Sequence, residues 1–167
     1  VARRGGGAPA GRLDRLVGEK LKAAKKPLVI VGEGAVSHGA AWNKQIGRDV
    51  ISLAARAATL STEIAADWNG DRLGAAVAEI SDAGGAIVGV QGDISDKAVA
   101  EGLVDKALAD HGRLDVLVNN AGIMDYMAGV GQLTDEIWRK VLAVNLDGPM
   151  FTMRRAVPAM VAAGQGS

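Results

Sequence analysis

The sequence predicts an α/β domain built on a doubly wound parallel sheet. Two observations carry this. From Asp71 onward, short apolar runs alternate with helical stretches, the rhythm of βαβ units. The composition also suits tight helix–sheet packing, with 23 glycines and only 3% aromatic residues in a chain that is 49% hydrophobic. At 167 residues one domain is expected, and that length can bury a core without disulfides or metals.

In chain order, residues 1–10 are rich in Gly, Ala and Pro and read as a leader without fixed structure. Apolar residues at 13, 16, 17 and 21 give one amphipathic helix over residues 13–24, which Pro27 closes off. Leu28-Val29-Ile30-Val31 is fully apolar and ends at Gly32, as a buried parallel strand does. A glycine-bearing turn follows to Gly39, then a helix over residues 46–58 and a strand over residues 62–66. Residues 72–82 form a helix that Gly84-Gly85 stops, and residues 86–90 a strand. Ser95 or Asp96 caps a helix reaching His111, with Gly112 at its carboxyl end. Residues 114–118 are a further apolar strand. A long helix opens near Thr134 or Asp135 and continues to about Ala163, with bends expected near Gly148-Pro149 and at Pro158.

Several function classes drop out. Lys plus Arg and Asp plus Glu balance at 19 each, so bulk charge offers nothing to nucleic acid or acidic lipid. The absence of Cys removes disulfide scaffolds, thiolate metal sites and Cys nucleophiles, and no metal site is expected. No apolar run approaches a membrane span, and Arg3-Arg4 is followed by no signal-peptide core, so the expected location is the cytoplasm.

The strongest chemical signal is Asp115-Val116-Leu117-Val118-Asn119-Asn120-Ala121-Gly122. An apolar strand ends abruptly in two amides able to bond strand ends or a ribose. A small residue and a glycine then let the backbone approach a flat ligand. A turn stabilised by Asn side chains fits those four residues equally well.

Gly112 to Ile123 resembles the fourth strand and Asn-Asn-Ala-Gly motif of the short-chain dehydrogenase/reductase family. Val90-Gln91-Gly92-Asp93-Ile94-Ser95-Asp96 is similar to its third strand, Ala66-Asp67-Trp68-Asn69-Gly70-Asp71-Arg72-Leu73 to the end of its second, and Val144-Asn145-Leu146-Asp147-Gly148 to the helix carrying its active-site Asn. The four matches keep the family's order over about residues 64–167. The resemblance implies a Rossmann-type doubly wound sheet that stops before the family's catalytic strand and helix. It makes residues 11–167 a partial dinucleotide-binding domain, atypical over 11–63. Hydride transfer between a nicotinamide and an alcohol or ketone is the implied activity, with a homo-oligomer as the implied assembly.

Roles follow residue by residue from the same resemblance. Asp67 would accept bonds from the adenosine ribose and repel a 2′-phosphate, favouring NAD over NADP. Arg72, a turn into the next helix, is expected to be a poor partner for such a phosphate. Asp93 would bond the adenine amino group with Ile94 packed on the ring, although Asp93 also reads as a helix-capping acid. Asn119, Ala121 and Gly122 would line the cofactor bed. Asn145 would hold a helix kink open and position a water of the proton relay. The family's Ser and Tyr-x-x-x-Lys are not present: the single Tyr, Tyr126, has Val130 where Lys would stand.

The likeness weakens ahead of residue 64. The family's phosphate loop reads Thr-Gly-x-x-x-Gly-x-Gly, whereas here the stretch is Val31-Gly32-Glu33-Gly34-Ala35-Val36-Ser37-His38-Gly39. Gly32 and Gly34 remain the candidates for the pyrophosphate, with Glu33 an unfavourable neighbour. Residues of about 13–35 also resemble a segment of the large iron–sulfur subunit of respiratory complex I. That leaves two further readings, a structural module of an electron-transfer complex and a non-catalytic junction product.

Overall fold

The computed structural model describes residues 27–30, 63–125 and 128–167. The expected helices over 13–24 and 46–58, the leader, Gly32, Gly34, His38 and Tyr126 lie outside the described residues. Four strands form one parallel sheet: β1 (Pro27–Ile30), β2 (Glu63–Asp67), β3 (Ile87–Gln91) and β4 (Val116–Asn119). Their order is β3-β2-β1-β4. The strand expected over 28–31 is therefore central. Ile30 is in register with Ala66 on one side and Asn119 on the other.

The strands lie within two residues of their expected bounds. Helix α1 (Gly70–Asp82) joins β2 to β3 and α2 (Lys97–His111) joins β3 to β4. Of the two expected caps for α2, Asp96 fills the role, its carboxylate accepting from the Ala98 and Val99 amides. Gly112 ends the helix at φ 71°, where a Cβ would be penalised. Thr134 caps α3 (Asp135–Leu142) by accepting from the Ile137 amide at 3.2 Å. The expected long helix is interrupted. A π turn occupies Ala143–Asp147, and α4 (Gly148–Ala162) continues from it through Pro158.

Strand alternation shows that the sheet is covered on both faces. Val88 and Val90 pack with Ile64, Ala66, Leu103, Val104 and Ala156, the cluster under α2 and α4. Between them, Gly89 turns the other way, where an added Cβ would lie 3.0 Å from Val77 and 3.2 Å from Leu73 of α1. The order and the right-handed crossover rule agree with this: β2 to β3 steps outward and β3 to β4 steps back, so α1 and α2 must lie on opposite faces.

Helices α2 and α4 pack side by side. Arg154 pairs with Glu101 at 3.1 Å and Arg155 with Asp105 at 2.5 Å along their rim. Near the amino end of β4, Asp115 accepts from Arg113 Nε at 2.7 Å and from Gln165 Nε2 at 3.3 Å. Ser167 donates to the Asp115 carbonyl at 3.0 Å and accepts from the Leu117 amide at 2.9 Å, the bond pattern of parallel pairing on the outer edge of β4. Leu146, Met150, Met153, Val157 and Val161 are exposed at helical spacing along the π turn and α4. Among the described residues no helix is long and apolar enough to cross a membrane.

Two glycines give opposite expectations. A Cβ at Gly148 would sit 2.7 Å from Ile94 Cδ1 and 3.1 Å from the Ile94 carbonyl oxygen, so Gly148→Ala should cost about 1–3 kcal/mol. Gly102 lies within α2 with nothing near its missing Cβ, so Gly102→Ala should stabilise by about 0.5–1 kcal/mol. Urea unfolding of the two variants checks both signs.

Candidate functional site

The carboxyl ends of the strands form one edge, and the change in winding direction falls between β1 and β4. In open α/β sheets that is where ligands bind. Asp67 ends β2 in register with Gln91 of β3, and Asn119 ends β4 beside Ile30. Three predicted or neighbouring polar side chains thus stand along a single edge.

Asp67 is 6% exposed, yet only one of its oxygens is engaged among the described residues. Oδ1 accepts from the Asn69 amide at 2.8 Å and from Arg72 Nη2 at 3.2 Å. Asn69 in turn caps α1, its side chain accepting from the Arg72 amide at 3.0 Å. The Arg72 guanidinium also lies 5.6 Å from the centre of the Trp68 ring. Arg72, expected to be a poor partner for a 2′-phosphate, is paired here with Asp67 itself. The first turn of α1 brings residue i+5 back over the strand end, and the capping bond fixes where that turn begins.

Asp93 is exposed and accepts from the Ser95 amide at 2.9 Å, while its carbonyl accepts from the Asp96 amide at 3.0 Å. Its carboxylate thus closes a turn ahead of the helix, whose cap is Asp96, and its second oxygen accepts no bond among the described residues. Ile94 is 5% exposed and packs against Gly148, within the core cluster under α2 and α4.

Asn119 is tied to α4. The Thr152 hydroxyl is fully buried and lies 2.9 Å from Asn119 Oδ1 and 3.0 Å from the Pro149 carbonyl. One hydroxyl proton serves one of these acceptors at a time. Ala121 and Gly122 follow in the half-buried stretch between β4 and Ile123.

Asn145 sits in the middle of the π turn. Its Nδ2 donates to the Ile123 carbonyl at 2.8 Å and its Oδ1 accepts from the Ile123 amide at 2.7 Å. The side chain thus replaces a strand partner for one residue just past Asn-Asn-Ala-Gly. A π turn widens the helix by one residue, and such widenings concentrate at functional sites. The widening here lets residue 145 face Ile123 while α4 keeps its register against α2. Thr152 and Arg72 are the side chains that sequence reasoning did not assign to the site. Nothing local marks Thr152, whose partner is 33 positions away. Among the described residues no cluster could hold a metal ion.

A parallel, doubly covered sheet with polar groups gathered at the carboxyl ends of β2, β3 and β4 defines a nucleotide-binding type of α/β protein. The chain belongs to the short chain dehydrogenase family, whose model matches residues 43–167. It is 32% identical over 146 residues to 3beta-hydroxysteroid dehydrogenase 2 of Eggerthella lenta, which is 87% of this chain and 55% of that protein. It is 42% identical over 96 residues to an uncharacterized oxidoreductase of Mycobacterium tuberculosis, 58% of this chain and 34% of that one. The chain thus spans about half, or less, of the length of these curated relatives. Among solved structures it is similar to a metagenomic short-chain oxidoreductase in complex with NADP, with a TM-score of 0.69, 29% identity and coverage of 85% of this chain and 59% of that one. NAD+-bound xylitol dehydrogenase shares the fold at a TM-score of 0.69 and 23% identity, covering 87% of this chain and 52% of that one.

The Asn145 clamp can be tested directly. Asn145→Ala removes two hydrogen bonds at a solvent-facing position and should cost about 1 kcal/mol. The sharper readout is amide hydrogen exchange at Ile123, which should accelerate in the variant while the amides of α2 keep their protection.

Proposed function

We propose that this chain is cofactor-binding machinery of an NAD(P)-dependent oxidoreductase acting on a small alcohol or ketone, with NAD as the preferred cofactor. The observation that carries this is Asp67, a buried carboxylate at the end of the strand beside β1, with one oxygen engaged by Asn69 and Arg72 and the other open among the described residues. A ribose hydroxyl is the neutral donor that such an oxygen suits. When bound, the nicotinamide supplies the hydride acceptor or donor. The residues here would do the positioning. Asp67 holds the adenosine ribose, Asp93 takes an adenine amino group, and Ile94 backs the loop beneath it. Gly32 and Gly34 would face the pyrophosphate, with Glu33 opposing it. Asn119, Ala121 and Gly122 form the floor.

Asn145 holds the floor loop through Ile123. Its amide retains one N–H and one lone pair, enough to bind a single water for a proton relay. Neither nucleic acid nor a membrane enters this reading. The complex I reading assigns residues 13–35 to another kind of module. Against it stands the central place of β1 between β2 and β4, the position of a first Rossmann strand. The similarity to the steroid dehydrogenase also covers more residues than lie between position 43 and the end of the chain.

The reading is tested with 5′-AMP by NMR. Amides of Asp67, Asn69 and Asp93 should shift in the wild type and not in Asp67→Ala; no shift at that edge would overturn it. Binding of NADH should not saturate at micromolar concentration, because the sequence would bring the like charge of Glu33 to the pyrophosphate. NAD reduction by a panel of alcohols should stay at background, since these residues include no Tyr-x-x-x-Lys; turnover that disappears in Asn145→Ala would contradict this.

We also propose a homo-oligomer formed through the apolar stripe of α4. Light scattering should show a dimer or larger species at micromolar concentration, and the double variant Met153→Glu, Val157→Glu should run as a monomer.

A further inference from the structure

We infer that the outer edge of β3 is a pairing surface for a second copy of this chain, with two β3 strands meeting antiparallel about a two-fold axis at Gly89. This surface is separate from the stripe on α4 and does not rest on the cofactor reading. Strand β3 stands at one end of the sheet, with β2 on its inner side. The Gly92 amide donates to the Asp67 carbonyl at 3.0 Å, so the backbone groups of Val88, Val90 and Gly92 face β2. Backbone direction alternates along a strand. Ile87, Gly89 and Gln91 therefore turn their N–H and C=O groups outward, toward an edge that no described strand covers. Gly89 and Gln91 are exposed.

Edge strands are commonly blunted by a charge, a proline or a bulge. From Ala83 to Gly92 the sequence has neither a charged residue nor a proline. The register with β2 also runs from Ile87 to Gln91 without a bulge. The edge is self-complementary. About an axis at Gly89, that residue faces its own copy, Ile87 faces Gln91 and Val88 faces Val90. Every outward N–H then meets an outward C=O. Gly89 brings no side chain to the axis, because Val77 and Leu73 of α1 fill the space its Cβ would take. No charge on the strand selects a foreign peptide, whereas a second copy matches it in length, register and neutrality. A pairing of 5 residues a side buries less than a standard interface, so it is weak and grows with concentration.

The experiment uses Met153→Glu, Val157→Glu, which removes the contact proposed for α4, so that association through β3 is read alone. Amide hydrogen exchange is followed by NMR from micromolar to millimolar concentration. The amides of Ile87, Gly89 and Gln91 should slow by about fivefold over that range, while those of Val88 and Val90, already bonded to β2, keep their rates. Mixed isotope labelling should show contacts between the Val88 Hα of one copy and the Val90 Hα of the other. Adding Ile87→Pro removes an outward N–H at the first position of the strand, where proline is tolerated, and should abolish the slowing. Gln91→Lys keeps a donor for the Trp68 carbonyl and sets a cation against Ile87 of the copy, so it should weaken the pairing as well. Thermal melting confirms that each variant is folded. Rates for Ile87, Gly89 and Gln91 that do not change with concentration would overturn the inference. So would slowing that persists in a folded Ile87→Pro variant, or slowing without contacts between Val88 and Val90.

Discussion

The structure depends on β1 being paired on both sides. Ile30 stands in register with Ala66 and with Asn119, so the two strands that end in polar side chains are held on either flank of one central strand. A parallel sheet cannot connect neighbours by tight turns, so each step needs a helical crossover. Because the chain moves outward to β3 and then returns past β1 to β4, successive crossovers fall on opposite faces. The gap between the helices at the reversal is then a geometric consequence of strand order. The polar residues that crowd it are those at which each strand stops.

Fixing that edge places demands on the layer beneath it. Helix α4 must approach the loop between β3 and α2 closely, and it does so at Gly148, where Ile94 occupies the volume a side chain would fill. The same helix buries the Thr152 hydroxyl within reach of Asn119, so the end of β4 is secured from the core side. Leu103, Val104, Ala107 and Ala156 lie between the two anchors, in the seam of α2 and α4. The ion pairs Arg154–Glu101 and Arg155–Asp105 run along the solvent rim of that seam, where exposed pairs contribute little energy and mainly limit register. Packing, rather than charge, keeps the site's floor in place.

What the sequence shows plainly is local. Apolar runs at 28–31 and 86–90 and the turn signals after them mark strands to within two residues, because a short apolar run bounded by turn residues is the pattern of a parallel strand. Asp96, Gly112 and Thr134 mark helix ends because capping is satisfied within three or four positions. Asp67 and the Asn-Asn-Ala-Gly stretch are visible for a different reason, the resemblance to a family. Contacts that cross the chain leave no such mark. Asn145 and Ile123 are 22 positions apart, and neither residue type at its own position announces the other. Arg72 shows the limit at short range, since one turn of helix is enough distance to appear remote on paper. Only the angle at which α1 leaves β2 decides that it returns. The interruption of the long helix was expected at Gly148-Pro149, the residues with poor helix propensity. The widening instead falls immediately before them, and Pro149 lies in the opening turn of α4.

The π turn joins these levels. Between Leu142 and Gly148 the helix takes in one residue more than its ordinary winding allows, and the Gly148 amide reaches back to the Ala143 carbonyl. A regular helix through this stretch would rotate α4 by roughly 100° relative to α3. Either Asn145 would then leave Ile123, or Gly148 and Thr152 would leave Ile94 and Asn119. Both sets of contacts are present, so the extra residue is the geometric solution that satisfies them together. Two short, well-aligned bonds from Asn145 to a single backbone residue offset the poorer bonding of the wide turn. The loop after Asn-Asn-Ala-Gly is thereby anchored by a side chain beyond the end of β4, where none of the described strands supplies the bonds.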